Sequence, residues 1–271
     1  MSEHFLKLYA EAREAQAVKN EARHIWTKIR EARGSPHDAA VRWPFELLQN
    51  AIDSGPREDR NSVDITLTDK SDSFVFEHDG AFFKTHELAA LLSGGSSKEF
   101  EDPKTTGRFG TGFLVTHVLA PRVQLVGLVD TGDQIERVDL LLDRGGGEDS
   151  ILQNIQHCNE AIERAMRVLT VEGAPSARFT YAHDDVAYLR EGLETFRQTL
   201  PYLFVTRPLL GDVRLEFDKG TVETWQPGLS FPGCSAMRSC KSETFAFARP
   251  VLSTALSASH TQKPLAEQLQ S

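Results

Sequence analysis

The order of three short segments constrains this chain more than any bulk property does. A helix-forming stretch from Phe45 sets Glu46, Asn50 and Asp53 four and three residues apart. A carboxylate, an amide and a second carboxylate then share one helical face, and Leu47, Leu48, Ala51 and Ile52 are left for packing. A β-rich stretch, Phe74-Val75-Phe76, next runs into Glu77-His78-Asp79-Gly80-Ala81-Phe82-Phe83. Polar groups beside a glycine at a strand end mark a place where a ligand can approach backbone closely. Finally Ser93-Gly94-Gly95-Ser96-Ser97-Lys98 leads to Gly107-Arg108-Phe109-Gly110-Thr111-Gly112-Phe113 and a new helix. Glycines placed so let successive N–H groups and the positive end of the helix face phosphate oxygens.

Each segment alone also has an ordinary reading: a solvated amphipathic face, an Asp-Gly turn, a surface loop. The P-loop pattern GxxxxGK[ST] is absent, and the glycine run follows a helix rather than the first strand of a βαβ unit. Neither a P-loop nor a dinucleotide fold therefore accounts for it.

Hydrophobic periodicity predicts the frame around these segments. Phe5, Leu8, Tyr9, Ala12, Ala15, Ile25, Trp26 and Ile29 fall at helical spacing over residues 3 to 33, and Pro36 opens a short helix after Ser35. The next helix is expected from Pro44 to Gly55. Strands are expected at 63–67 and 74–76, a helix at 85–92, another at 113–119, and a hairpin of 123–129 with 135–142 turning at DTGD. Further on, the pattern predicts helix over 150–169, strand at 178–181, helix over 184–200 and strand at 213–217. Residues 1–35 read as an N-terminal helical segment, 36–220 as the main domain, and 221–271 as an extension or linker. Mixed elements without regular alternation predict an α+β fold, a mostly antiparallel sheet with helices on one face.

The formal net charge of -9 gives no general attraction for nucleic acid or anionic lipid. Three cysteines, Cys158, Cys234 and Cys240, are too few and too scattered for a disulfide framework or a zinc site. The N-terminus lacks the apolar core of a signal peptide, and no run reaches membrane-span length. These features predict a cytoplasmic chain with no membrane partner.

Taken in order, the three segments resemble the GHKL (Bergerat-fold, Hsp90-type) ATPases, strongly over about residues 36 to 130 and more weakly to about 217. Arg42-Trp43-Pro44-Phe45-Glu46-Leu47-Leu48-Gln49-Asn50-Ala51, HDGAFF and GGSSK are similar to the sacsin-like subgroup in particular. The resemblance implies ATP and Mg²⁺ as cofactors, a mobile lid over the nucleotide, and slow hydrolysis that switches conformation or dimerisation. Asn50 would hold Mg²⁺, Glu46 would be the general base, and Asp53 would support the site near ribose or base. Gly80 would let the chain pass close to adenine. Gly107, Phe109, Gly110, Thr111 and Gly112 would wrap the phosphates, with Ser97 and Lys98 in the lid.

The sequence departs from the family pattern DxGxG. With Gly80 as the first glycine, His78 stands where the aspartate is expected and Phe82 replaces the second glycine. Either His78 or Asp79 then reads the base, and Thr180 or Ser176 completes its pocket. A homodimer or partner-protein contact is implied, with chaperone-like action or anti-phage defence as the setting. The alternative reading is a non-hydrolysing nucleotide-binding or dimerisation module serving a separate effector. A histidine kinase is disfavoured, because no recognisable helix with a phospho-acceptor histidine precedes the domain.

Overall fold

The structure, a computed structural model, describes residues 2–95, 112–168, 174–182, 186–218, 220–228 and 250–254. Helices α1 (Glu3–Gly34) and α2 (Pro36–Asp53) precede the antiparallel pair β1 (Val63–Asp69) and β2 (Ser73–His78). The short β3 (Phe83–Lys84) leads into α3 (Thr85–Ser93). After the segment outside the described residues come α4 (Gly112–Val115), a 3-10 turn (Thr116–Val118), β4 (Arg122–Asp130) and β5 (Ile135–Asp143). Helix α5 (Glu148–Ile162), β6 (Met166–Arg167), β7 (Ala177–Ala182) and α6 (Ala187–Thr206) follow, then β8 (Leu210–Phe217), β9 (Thr221–Trp225) and β10 (Pro250–Thr254).

The strands form one sheet in the order β10-β9-β8-β1-β2-β7-β4-β5-β6, with β3 beside β4. Only β1–β8 and β3–β4 are parallel among the described pairs. The expected α+β class holds: a mostly antiparallel sheet carries its helices on one face. Alternation explains why. Phe74, Phe76 and His78 of β2 register with Tyr181, Phe179 and Ala177 of β7, and those with Val123, Leu125 and Gly127 of β4. These residues share one face, and all are buried under Trp43, Leu47, Phe196 and Leu200 of the helices or beside them. Transferring such alternate residues from water is the main favourable term for the layer. The opposite face is polar, with Glu77 paired to Arg178, Thr68 to Glu216 at 3.3 Å and Gln124 to Asp139 across strands. One dry and one wet face is usual for an antiparallel sheet.

Helix α2 differs from the expectation, running unbroken from Pro36 through Pro44. A proline inside a helix removes one backbone hydrogen bond and costs about 3 kcal/mol. The loss is offset because Ala39, Ala40 and Trp43 before it, and Leu47, Leu48 and Ala51 after it, are all buried. Helix α6 packs against this stretch through Gly192. A Cβ there would collide with the Trp43 indole nitrogen and the Ala40 carbonyl, and the Trp43 N–H donates to the Tyr188 carbonyl at 3.3 Å.

Among the described residues, helix α1 is buried along its C-terminal half. Ala22, Ile25 and Ile29 pack with Leu114, Ile151 and Ile155, whereas Phe5, Leu6, Leu8 and Tyr9 are exposed. The second half of the expected N-terminal segment is thus packed into the main domain. At the other end, β9 pairs with β8 and β10 with β9, so the sheet continues past the boundary expected at residue 220. Helix α5 stops at Ile162 rather than near 169, and β6 pairs with β5. No helix of the described residues is long and apolar enough to cross a membrane.

Candidate nucleotide site

Helix α2 positions the first group. Its buried stripe of Trp43, Leu47, Leu48, Ala51 and Ile52 turns Glu46, Asn50 and Asp53 away from the core. Asn50 is exposed, while Glu46 and Asp53 are half-buried. Glu46 Oε1 accepts from Arg42 Nη2 at 3.0 Å. Against this carboxylate lies Gly112, the first residue of α4, where a Cβ would overlap the Glu46 side chain. The end of the glycine-rich run is thus brought onto the acid of α2.

The second group sits at the C-terminal end of α2. Ser54 Oγ donates to the Ala51 carbonyl at 2.7 Å, Gly55 turns the chain at φ +76, and its carbonyl accepts from the Ala81 N–H at 2.7 Å. Gly80 rests on this turn. A Cβ there would run into Ser54 Oγ and lie 2.9 Å from the Gly55 carbonyl. Packing against α2 therefore demands glycine at this position, independently of any ligand.

His78 and Asp79 have separate roles in the fold. His78 ends β2 on the helix-covered face, and its Nδ1 accepts from the Gly80 N–H at 3.3 Å. Burial, reinforced by the Arg57 charge, brings its pKa down to about 4. The ring is neutral at pH 7, and the Gly80 contact assigns its proton to Nε2. Asp79 points elsewhere: Oδ1 accepts from the Asp64 N–H at 2.7 Å and Oδ2 pairs with Arg60.

A half-buried polar knot stands beside this turn. Ser176 Oγ donates to the Gly80 carbonyl, and the Ser176 N–H donates to the His78 carbonyl at 2.8 Å. Arg57 donates through Nη2 to Ser176 Oγ at 3.0 Å and to the Ala174 carbonyl, with its guanidinium 4.8 Å above the Phe82 ring. Of the two residues considered for completing the base pocket, Ser176 is therefore the one brought to the turn. Thr180 is placed differently. It registers with Val75 and Gln124, opposite in phase to Phe179 and Tyr181, so the two-residue repeat sends it to the polar face, away from α2.

Ser97, Lys98, Gly107, Phe109, Gly110 and Thr111 lie outside the described residues. So do Cys234 and Cys240, whereas Cys158 is buried as a free thiol. Sequence reasoning gave no role to Arg57 or Arg60. Both belong to the charged run Gly55-Pro56-Arg57-Glu58-Asp59-Arg60, and nothing in its spacing says that one arginine folds onto Ser176 and the other onto Asp79.

No protein-family model matches the chain, and no curated protein matches it. Among solved structures, it is similar to the B subunit of DNA gyrase from Myxococcus xanthus, with 17% identity and a TM-score of 0.43. That alignment covers 73% of this chain and 55% of the other, so the chain spans about half of that subunit.

Proposed function

We propose that the chain is a GHKL-type ATP-binding domain that takes Mg-ATP between α2, the turn after β2 and the segment ending at Gly112. The observation that supports this best is the approach of Gly112 to the Glu46 carboxylate. It joins the acid-and-amide helix to the end of a glycine-rich run, and it leaves backbone where any side chain would intrude.

The donor set suits the cation. Among the described residues no three His, Cys, Asp or Glu side chains converge as a metal cluster. A hard cation at Asn50 would take that amide oxygen together with phosphate and water oxygens, which is how Mg²⁺ is commonly held beside nucleotides. When bound, Mg²⁺ neutralises charge on the triphosphate. The chain's own residues do the rest. Glu46, one turn before Asn50, orients a water and accepts its proton. Asp53 supports the sugar side. His78 offers Nε2–H as a donor to a ring nitrogen of the base, because Nδ1 is engaged by Gly80 and the Asp79 oxygens are engaged by Asp64 and Arg60. In this reading the base is recognised by donation from His78, and Asp79 anchors the start of β1. Ser97 and Lys98 belong to a lid whose closure changes association with a second copy or a partner protein. The sacsin-like motifs make chaperone-like or anti-phage action the proposed setting.

A second reading, nucleotide binding without turnover, is favoured by one contact. The Arg42 guanidinium is 3.0 Å from Glu46, and a carboxylate held in an ion pair is less free to turn toward a water. In that case ATP organises the domain for a separate effector.

Titration calorimetry of the chain with a non-hydrolysable ATP analogue, with and without Mg²⁺, tests the proposal. Mg²⁺-dependent binding lost in Asn50→Ala, together with binding but no turnover in Glu46→Ala, is the expected result. Binding indifferent to Mg²⁺ and to Asn50→Ala would overturn it. Turnover by the unaltered chain decides between the two readings.

A further inference from the structure

A cavity of about 590 Å³ lies between α1, α3, α5 and the β4–β5 hairpin. None of its described lining residues belongs to the nucleotide site. Its walls are apolar: Leu88 and Leu92 of α3, Val129 and Val138 of the hairpin, and Ile155 and Ile162 of α5. Among the described lining residues, charge is of one sign. Glu14 and Glu21 of α1 and Glu136 of β5 line it, and none of the described lining residues is lysine, arginine or histidine. Glu136 accepts from Gln134 Nε2 at 2.7 Å, whereas Glu14 and Glu21 meet no partner among the described residues.

We infer that this cavity binds an apolar ligand carrying a cationic head, an alkylammonium-like amphiphile. The volume falls within the range of small-molecule pockets, whose usual composition is apolar walls with a few convergent polar groups. Aliphatic walls on three elements would hold the chain, and the carboxylates of α1 would hold the ammonium. Burial already keeps the Glu21 carboxyl above its usual range, so a cation at that position relieves an existing cost. An anionic amphiphile of equal length would bring like charge against Glu14, Glu21 and Glu136. The inference does not depend on the nucleotide reading.

The test uses the full chain and three probes of one length: nonylammonium, nonanoate and nonanol. Binding is followed by calorimetry and by shifts of backbone amide resonances. Saturable one-to-one binding of nonylammonium is expected, with shifts clustered on α1, α3, α5 and the hairpin. Nonanoate should bind at least about tenfold more weakly, and Glu21→Gln should weaken nonylammonium about fivefold. Ala89→Trp, at an exposed position on the cavity mouth, should remove binding while the thermal transition is kept. Equal binding of nonanoate, binding unchanged in Ala89→Trp, shifts located elsewhere, or no binding would each overturn the inference.

Discussion

Gly112 lies so close to Glu46 that a single added carbon would overlap the carboxylate. The two residues come from different motifs, one on the α2 face and the other at the end of the glycine-rich run, and the fold sets them in contact. Gly112→Ala should therefore weaken nucleotide binding and cost up to about 1 kcal/mol of stability, since the Glu46 side chain can swing aside only by leaving Arg42. Glu46→Ala added to it should restore the stability but not turnover. Denaturant unfolding and phosphate release on the single and double variants check this. Stability unchanged in Gly112→Ala would show that the contact is not tight.

Arg42 holds the Glu46 carboxylate at 3.0 Å. If Glu46 is the base and this pair restrains it, Arg42→Ala should raise the rate of ATP hydrolysis by a few-fold while leaving analogue affinity within about twofold. A fall in both quantities would mean that Arg42 contacts the nucleotide instead.

Gly192 gives the matching control away from the site. Gly192→Ala drives a methyl into the Trp43 indole nitrogen and the Ala40 carbonyl. The expected cost is about 2–3 kcal/mol, from overpacking plus a disturbed Trp43 hydrogen bond. Affinity per folded molecule should be unchanged. Fluorescence-monitored unfolding together with calorimetry separates the two quantities.

Two buried histidines set a pH dependence. His78 protonates near pH 4 and His117 near pH 3, against about 6.5 when unfolded, with burial as the main cause in both. Below pH 6.5 the unfolded chain therefore binds protons that the fold refuses. Stability is fully present above pH 6.5 and is lost as the pH falls toward 4 and then 3. At pH 5 each histidine should cost about 2 kcal/mol relative to pH 7.5. Urea titrations at both pH values measure the loss, and His117→Leu should remove about half of the histidine contribution.

Arg144 is a buried cation without a carboxylate partner among the described residues. It donates to the Leu92 carbonyl at 2.9 Å and to Asn154 Oδ1 at 3.0 Å, which ties α3 and α5 to the end of β5. Arg144→Met should cost about 2–4 kcal/mol, because the Leu92 carbonyl loses its donor in a dry setting and Asn154 Oδ1 is left with the Asp143 N–H. Arg144→Lys should not recover it, since a point donor cannot span the two acceptors. Equal stability of Arg144→Met and the unaltered chain would show that burial of the guanidinium already offsets those bonds.

Much of this protein was legible in its sequence, for local reasons. The i, i+4 spacing put Glu46 and Asn50 on one face of α2, period-two alternation gave β1, β-rich composition gave β2, and the turn residues between them gave β4 and β5. The DTGD turn was readable because Gly132 alone meets its positive φ, while Asp130 caps the turn. Prolines misled where tertiary packing overrode local cost: α2 runs through Pro44 and α6 through Pro201. Edge pairing was invisible too. Strand β9 has little apolar pattern of its own and exists by hydrogen bonding to β8, with Glu223 held under α6 by Arg197 at 2.7 Å.

The sequence by itself determined which chemical groups the site could use, because spacing along one helix fixes a shared face without reference to the rest of the chain. Only the tertiary structure decided which groups meet. It set Gly112 on Glu46, folded Arg57 onto Ser176 and Arg60 onto Asp79, and turned Thr180 to the wet face. Those contacts join residues far apart in the chain. They follow from strand register and helix packing, in which a one-residue shift reverses every side chain, and no local pattern encodes that choice.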